Sequence, residues 1–184
     1  PQQSDSTVET SLSNRLSAPQ SIRLIAIAVS TGGPPALVKI LEALPADIPV
    51  PILIVQHIAP GFMDGFAKWL DDVVSLPVKI ARDMELMLPS TVYFAPQDRH
   101  LGASRSRIRL SDAPPVGGFR PAGTHLFESV AGAFGCNVAG VILTGMGDDG
   151  VVGLKKIHEA GGVAIAQDEA TSVVFGMPRA AIEA

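Results

Sequence analysis

Ile22-Arg23-Leu24-Ile25-Ala26-Ile27-Ala28-Val29, running directly into Ser30-Thr31-Gly32-Gly33, is the stretch from which the rest of the chain can be read. The first eight residues are almost wholly apolar and rich in β-branched side chains. Such short runs suit strands buried on both faces, as in parallel sheets. Runs of the same kind return at residues 52–55, 91–95, 138–143 and 163–166. Helical patterns lie between them. Leu37, Ile40, Leu41 and Leu44 follow Pro34-Pro35, where proline suits a first helical turn. Phe62, Phe66, Trp69, Leu70 and Val73 form a second stripe, and Leu126, Phe127, Val130, Ala131 and Phe134 a third. Val151, Leu154, Lys155 and Ile157 suggest a fourth, and a helical segment begins near Pro178. Strands alternating with helices predict an α/β fold: a three-layer, mostly parallel, doubly wound (Rossmann-like) sheet. A small β-hairpin excursion is expected over residues 99–110, where His100-Leu101 and Ile108-Arg109-Leu110 flank Gly102-Ala103-Ser104.

Residues 1–20 differ from the rest, being rich in Ser, Thr and Gln without sustained periodicity, and read as a flexible linker or tail. Residues 21–184 read as one domain, a size in keeping with the usual ~100–200 residues. Both ends look cut from something longer. Lys and Arg number 14 against 18 Asp and Glu, giving a formal charge of −4. That mild acidity argues against a nucleic-acid module, which normally carries a basic patch. A single cysteine excludes a disulfide framework and a thiolate-rich zinc site, and it fits a reducing, cytoplasmic compartment. No apolar run approaches the ~18 residues of a membrane span. Hydrophobic residues make up 47% of the chain but aromatics only 5%, so the core must be built mainly from aliphatics.

In open parallel sheets, functional groups collect in loops at the carboxyl ends of the strands. After residues 22–29 comes Ser30-Thr31-Gly32-Gly33, and after residues 52–55 comes Gln56-His57. After residues 138–143 comes Thr144-Gly145-Met146-Gly147-Asp148-Asp149-Gly150. A serine, a histidine and an aspartate are thus expected at one sheet edge. A serine hydroxyl is a poor nucleophile until an imidazole can take its proton, and a carboxylate then holds the imidazole tautomer. The glycines after Ser30 are expected to leave N–H groups at a helix N-terminus facing a developing oxyanion. Each piece alone has a blander use. Ser-Thr-Gly-Gly caps and turns, a lone histidine is commonly a structural hydrogen-bonder, and Asp-Asp-Gly can be an N-cap. The coincidence of all three at strand ends favours a site.

Gly145-Met146-Gly147-Asp148-Asp149-Gly150 is also a G-x-G-x-x-G, with Asp168 and Glu169 near the distance of a ribose-binding acid. Two carboxylates inside a pyrophosphate cradle, and too little chain afterwards for further βα units, weigh against that dinucleotide-binding alternative. An α/β-hydrolase fold needs G-x-S-x-G and the order serine, acid, histidine, and this chain has neither.

Several separated motifs carry a more specific resemblance: Ser30-Thr31-Gly32-Gly33, Gln56-His57, Pro60-Gly61-Phe62, Ala95-Pro96 with Asp98 and His100, and Arg120-Pro121. The series continues with Thr144-Gly145-Met146-Gly147, Asp149-Gly150, Ala166-Gln167 and Val174-Phe175-Gly176-Met177-Pro178-Arg179. From residue 22 to residue 184 the chain resembles the catalytic domain of the chemotaxis protein-glutamate methylesterases (CheB). The resemblance implies a serine hydrolase with Ser30 as nucleophile, His57 as general base and Asp149 as its orienting acid. It also implies Thr31 beside the nucleophile and the Met146 N–H near the oxyanion, with no cofactor and no metal. It further implies demethylation of glutamate γ-methyl esters on the cytoplasmic helices of chemoreceptors, deamidation of receptor glutamines as a second activity, and a regulatory receiver domain of two-component type. A non-catalytic or retargeted signalling module is the alternative.

Two positions depart from the family's pattern. Asp148 stands where Asn is common, and its charge is expected to raise the pKa of a neighbouring carboxylate or of His57. Ala122-Gly123-Thr124 replaces the usual Ser-x-Asp, which puts a substrate contact by that loop in doubt. Other residues receive structural assignments: His100 a hydrogen bond, His125 and His158 surface helix positions, Cys136 a small core residue, and Arg120 either a steering charge or a surface salt bridge.

Overall fold

The computed structural model describes residues 21–184, and the tail expected over residues 1–20 lies outside them. In chain order the elements are β1 (Leu24–Val29), α1 (Gly33–Ala43), β2 (Ile52–Gln56), α2 (Met63–Val73), β3 (Val78–Ile80) and β4 (Val92–Phe94). There follow the hairpin β5 (His100–Ser104) and β6 (Arg107–Ser111), then α3 (Gly123–Phe134), β7 (Val138–Ile142), α4 (Val151–Glu159), β8 (Val163–Ala166) and α5 (Met177–Glu183). Six strands pair in the order β3-β4-β2-β1-β7-β8, every pair parallel, and β5–β6 is a separate antiparallel pair. The expected three-layer, doubly wound architecture with a hairpin excursion is therefore the one observed. The chain winds outward through β2, crosses back to β7 on the other side of β1, and so makes its topological switch beside β1.

The aliphatic runs explain why the central strands are covered on both faces. Along β1, Ala26 and Ala28 face one core while Ile27 and Val29 face the other. Along β2, Leu53 and Val55 alternate with Ile52 and Ile54. Leu37 and Leu41 of α1, one helical turn apart, seal one face. Leu126, Phe127 and Val130 of α3, with Leu154 and Ile157 of α4, seal the other. Burying each such side chain contributes about 1.5–3 kcal/mol, so these helices are held to the sheet by packing more than by propensity.

Three expectations need correcting. The buried face of α2 is Met63, Ala67 and Leu70, while Phe62, Trp69 and Val73 are exposed. Bulk misled the reading there, because smaller residues at the i, i+4, i+7 spacing fit closer to the sheet. The hairpin turns at Arg105-Ser106 and not at Gly102. Gly102 lies inside β5, where a Cβ would fall 2.4 Å from Ser129 Oγ of α3. Strand β8 is an edge strand with Ile165 exposed, so its apolar run does not mark burial on both faces.

Candidate active site

The parallel registers bring the three chemical side chains together. Val29 pairs with Gln56 and Ala28 with Ile142, so Ser30, His57 and the loop after β7 emerge side by side at the switch point. Backbone bonds continue each ladder past the strands: Ser30 N–H to Thr144 O at 3.0 Å, and His57 N–H to Val29 O at 2.9 Å. The Gln56 side chain ties the ends further. Its Nε2 donates to the carbonyls of both Ser30 (3.0 Å) and His57 (2.8 Å), bracketing the serine and histidine where the sheet stops.

Asp149 precedes α4 and is buried. Its Oδ2 lies 2.9 Å from His57 Nε2, somewhat off the ring's N–H axis, and also accepts the Gly123 N–H at 2.6 Å. Its Oδ1 accepts the Thr124 N–H at 3.0 Å. The carboxylate thus sits on the first turn of α3, where free amides and the helix dipole favour negative charge. Burial pushes the Asp149 carboxyl up, but the contact with His57 and the Thr124 and Gly123 amides outweigh it. The group is held below its ordinary value of 3.8. Gly123 is required by this approach, since a Cβ there would fall 2.6 Å from the Ala28 Cβ and 3.3 Å from Asp149 Oδ2. Thr124 closes the arrangement by accepting the Gly150 N–H at 2.8 Å. The loop doubted for departing from the family's pattern is therefore the support of the acid.

Asp148 is exposed, and no raised carboxyl accompanies it: its neighbour Asp149 is shifted the opposite way, through His57 and amides alone. The G-x-G-x-x-G loop likewise spends its second aspartate inward on α3, while Asp168 accepts bonds from the Thr171 N–H and hydroxyl.

Ser30 is half-buried, and among the described residues its hydroxyl has no hydrogen-bond partner. Gly145 lies directly against it, so that a Cβ at residue 145 would fall 2.7 Å from the Ser30 Cβ. Thr31 is exposed and its carbonyl accepts from Thr144 Oγ1 at 2.9 Å. Met146, which follows Gly145, is 75% exposed. Thr31 follows Ser30 and Met146 follows Gly145 in the chain, and neither amide has an acceptor among the described residues. The start of α1 offers less than expected. Gly32 turns the chain at φ +82, the Gly33 N–H is committed to Ser30 O at 2.9 Å, and Pro34 and Pro35 carry no N–H.

Beside His57 opens a cleft of about 670 Å³, walled by Pro60, Met63, Pro96, Asp98, Phe119 and Arg120. The Phe119 ring lies flat on the His57 ring, with centroids 4.3 Å apart and planes within 5°. Sequence reasoning did not single out Phe119, since a lone aromatic in a turn carries no periodic signal. Arg120 is a salt bridge, its Nε and Nη2 both 2.8 Å from Asp98 Oδ1.

His100 is fully buried and structural: Nδ1 accepts the Ala122 N–H at 3.3 Å, and Nε2 lies 3.1 Å from Pro114 O. His125 is not the surface residue expected. It stacks on His100 at 4.3 Å, and burial, followed by the neighbouring His100, pushes its pKa down. Cys136 is exposed in a 3-10 turn, not core. Met177 is wholly buried and packs against Gly145. Among the described residues, no three His, Cys, Asp or Glu side chains are grouped to hold a metal ion, and no helix is long and apolar enough to cross a membrane.

The CheB methylesterase family matches residues 25–184. A protein-glutamate methylesterase/protein-glutamine glutaminase of a group 3 operon from Rhizobium meliloti is 57% identical over 164 residues, covering 89% of this chain and 46% of that protein. A protein-glutamate methylesterase/protein-glutamine glutaminase of Pectobacterium atrosepticum is 46% identical over 186 residues, covering 99% of this chain and 53% of its own. The chain therefore spans about half the length of these relatives. The crystal structure of the Thermotoga maritima CheB methylesterase catalytic domain superposes with a TM-score of 0.84 at 41% identity, covering 89% of this chain and 88% of that one.

Proposed function

This chain belongs to the CheB methylesterase family, and from that premise we propose that it hydrolyses glutamate γ-methyl esters on the cytoplasmic helices of chemoreceptors. The observation that carries this reading is the buried Asp149 carboxylate, held by two amides and set 2.9 Å from His57. His57 in turn stands beside Ser30 at the next strand end. A neutral imidazole facing such a carboxylate is oriented and ready to accept a proton.

In this reaction Ser30 Oγ attacks the ester carbonyl while His57 takes its proton. With Nε2 at Asp149, Nδ1 is the ring nitrogen left for the serine. The tetrahedral oxyanion is received by the Thr31 and Met146 amides beside Ser30. The carbon–oxygen bond to the methoxy group then breaks, and methanol leaves with the proton from His57. Water attacks the acyl-serine, returns a proton through His57 to Ser30 Oγ, and releases glutamate. The same acyl-enzyme can form from a glutamine side chain with ammonia as leaving group, in keeping with the double name of the relatives. No cofactor enters these steps. The relatives' greater length supports a further regulatory domain, which we take to be a receiver of two-component type, and the substrate places the protein in the cytoplasm.

Methanol release from a methylated receptor fragment tests the reading. Wild type should release methanol and label with a fluorophosphonate, and Ser30→Ala should do neither. Equal release by wild type and Ser30→Ala would sink it.

A further inference from the structure

We propose that Phe119 is a positioning residue for His57 whose π-face favours the imidazolium form, a role that rests on the hydrolase reading above. A cation is favoured over a ring face within about 6 Å of its centre. The Phe119 and His57 rings lie parallel with centroids 4.3 Å apart, an offset stack that keeps the imidazole within that reach of the Phe119 face. The ring that gains a positive charge during attack and loses it on methanol departure therefore lies on an electron-rich face.

The backbone holds Phe119 there. Val116 and Phe119 exchange both N–H···O bonds at 3.0 Å around Gly117 and Gly118, which take φ +58 and +87, a two-residue hairpin that needs glycine-like residues. The next residue, Arg120, is fixed by Asp98 and by the carbonyls of Asp112 and Ala113. A side chain 38% exposed contributes little to the core, so packing alone does not account for so constrained a ring. Asp149 is the charged group in contact with His57. Arg120, the cation next to Phe119, is paired with Asp98, the other charge on the cleft wall, and Asp148 beside Asp149 points to solvent. The α3 groups packed at Asp149, Gly123 and Thr124, are uncharged.

Phe119→Leu keeps an apolar cover over His57 and removes the π-face, and Phe119→Trp keeps a stronger one. NMR titration of the His57 ring, assigned with His57→Gln, should show its pKa falling by about 0.4–0.7 in Phe119→Leu and remaining at or above the wild-type value in Phe119→Trp. In the methanol assay, the plateau of kcat/KM should fall about two- to fivefold in Phe119→Leu while the acidic limb moves to lower pH, and Phe119→Trp should restore both. The thermal midpoint should stay near wild type. An unchanged His57 titration in Phe119→Leu overturns the proposal, as does an equal loss in the Leu and Trp variants with the limb unmoved. Because the titration needs no turnover, a wild type without Ser30-dependent esterase activity would defeat the hydrolase reading while leaving this test intact.

Discussion

Asp149→Asn is the substitution whose outcome follows most directly from the atoms around it. The wild-type carboxylate faces three N–H groups: Gly123 at 2.6 Å, Thr124 at 3.0 Å and His57 Nε2 at 2.9 Å. All three require an acceptor. Asparagine offers one carbonyl oxygen, so in either orientation its NH2 is pressed against at least one backbone donor. A buried polar group left without a partner costs about 1–3 kcal/mol. For a domain of this size that corresponds to a fall in the melting midpoint of about 2–12 °C at pH 7. Catalysis should suffer more, because the amide stabilises the wrong imidazole tautomer. The corresponding change in Ser-His-Asp proteases costs about 10⁴ in kcat. The pH dependence gives an internal control. The folded pKa of Asp149 lies below the ordinary 3.8. Its ionisation therefore stabilises the fold above that value, and the contribution is lost as pH falls through 3.8 toward the folded pKa. The stability gap between wild type and Asp149→Asn should accordingly narrow in acid. Melting curves from pH 7 to pH 3, with methanol release at pH 7, measure all of this. A variant that melts with wild type at pH 7, or keeps more than a tenth of its activity, would refute the account of Asp149.

Gln56→Met keeps the length of the side chain but removes both donors to the Ser30 and His57 carbonyls. Misplacement of Ser30 and His57, the proposed nucleophile and base, should lower kcat about tenfold or more with KM little changed, and an unchanged kcat would show that the strands alone set the spacing. Asp148→Asn should leave the acidic limb of the kcat/KM profile where it is, since the exposed Asp148 takes no part in holding Asp149 or His57. A displaced limb would restore the coupling that the sequence suggested.

Much of the fold was legible because buried parallel strands announce themselves. Ile, Val and Ala in runs such as Ile52-Leu53-Ile54-Val55 leave little choice of element, and parallel order then puts their carboxyl ends at one edge. Ser30, His57 and Asp149 stood out for that reason. Strand β3 did not, because three residues of Val-Lys-Ile, partly exposed, carry too short a signal. The aromatic stripe of α2 was misread since periodicity reports which residues share a face, and bulk does not decide which face is buried. The support of Asp149 was illegible for a deeper reason. It is supplied by main-chain amides of Gly123 and Thr124, and an N–H group leaves no mark in a sequence. Phe119 carries no sequence signal likewise, as its partner His57 lies 62 positions away along the chain.

The two prolines that open α1 bear on what happens after the chemistry. In the proposed reaction a neutral ester becomes a carboxylate within the same pocket, and a helix end with a full set of free amides would retain that anion. Of the first three positions of α1, only Gly33 has an N–H, and Ser30 O already occupies it. The helix that follows Ser30 thus offers little hold on the product of the proposed reaction. In that reaction a newly formed glutamate carboxylate would gain no donor from the start of α1, so product inhibition by free carboxylates should be weak.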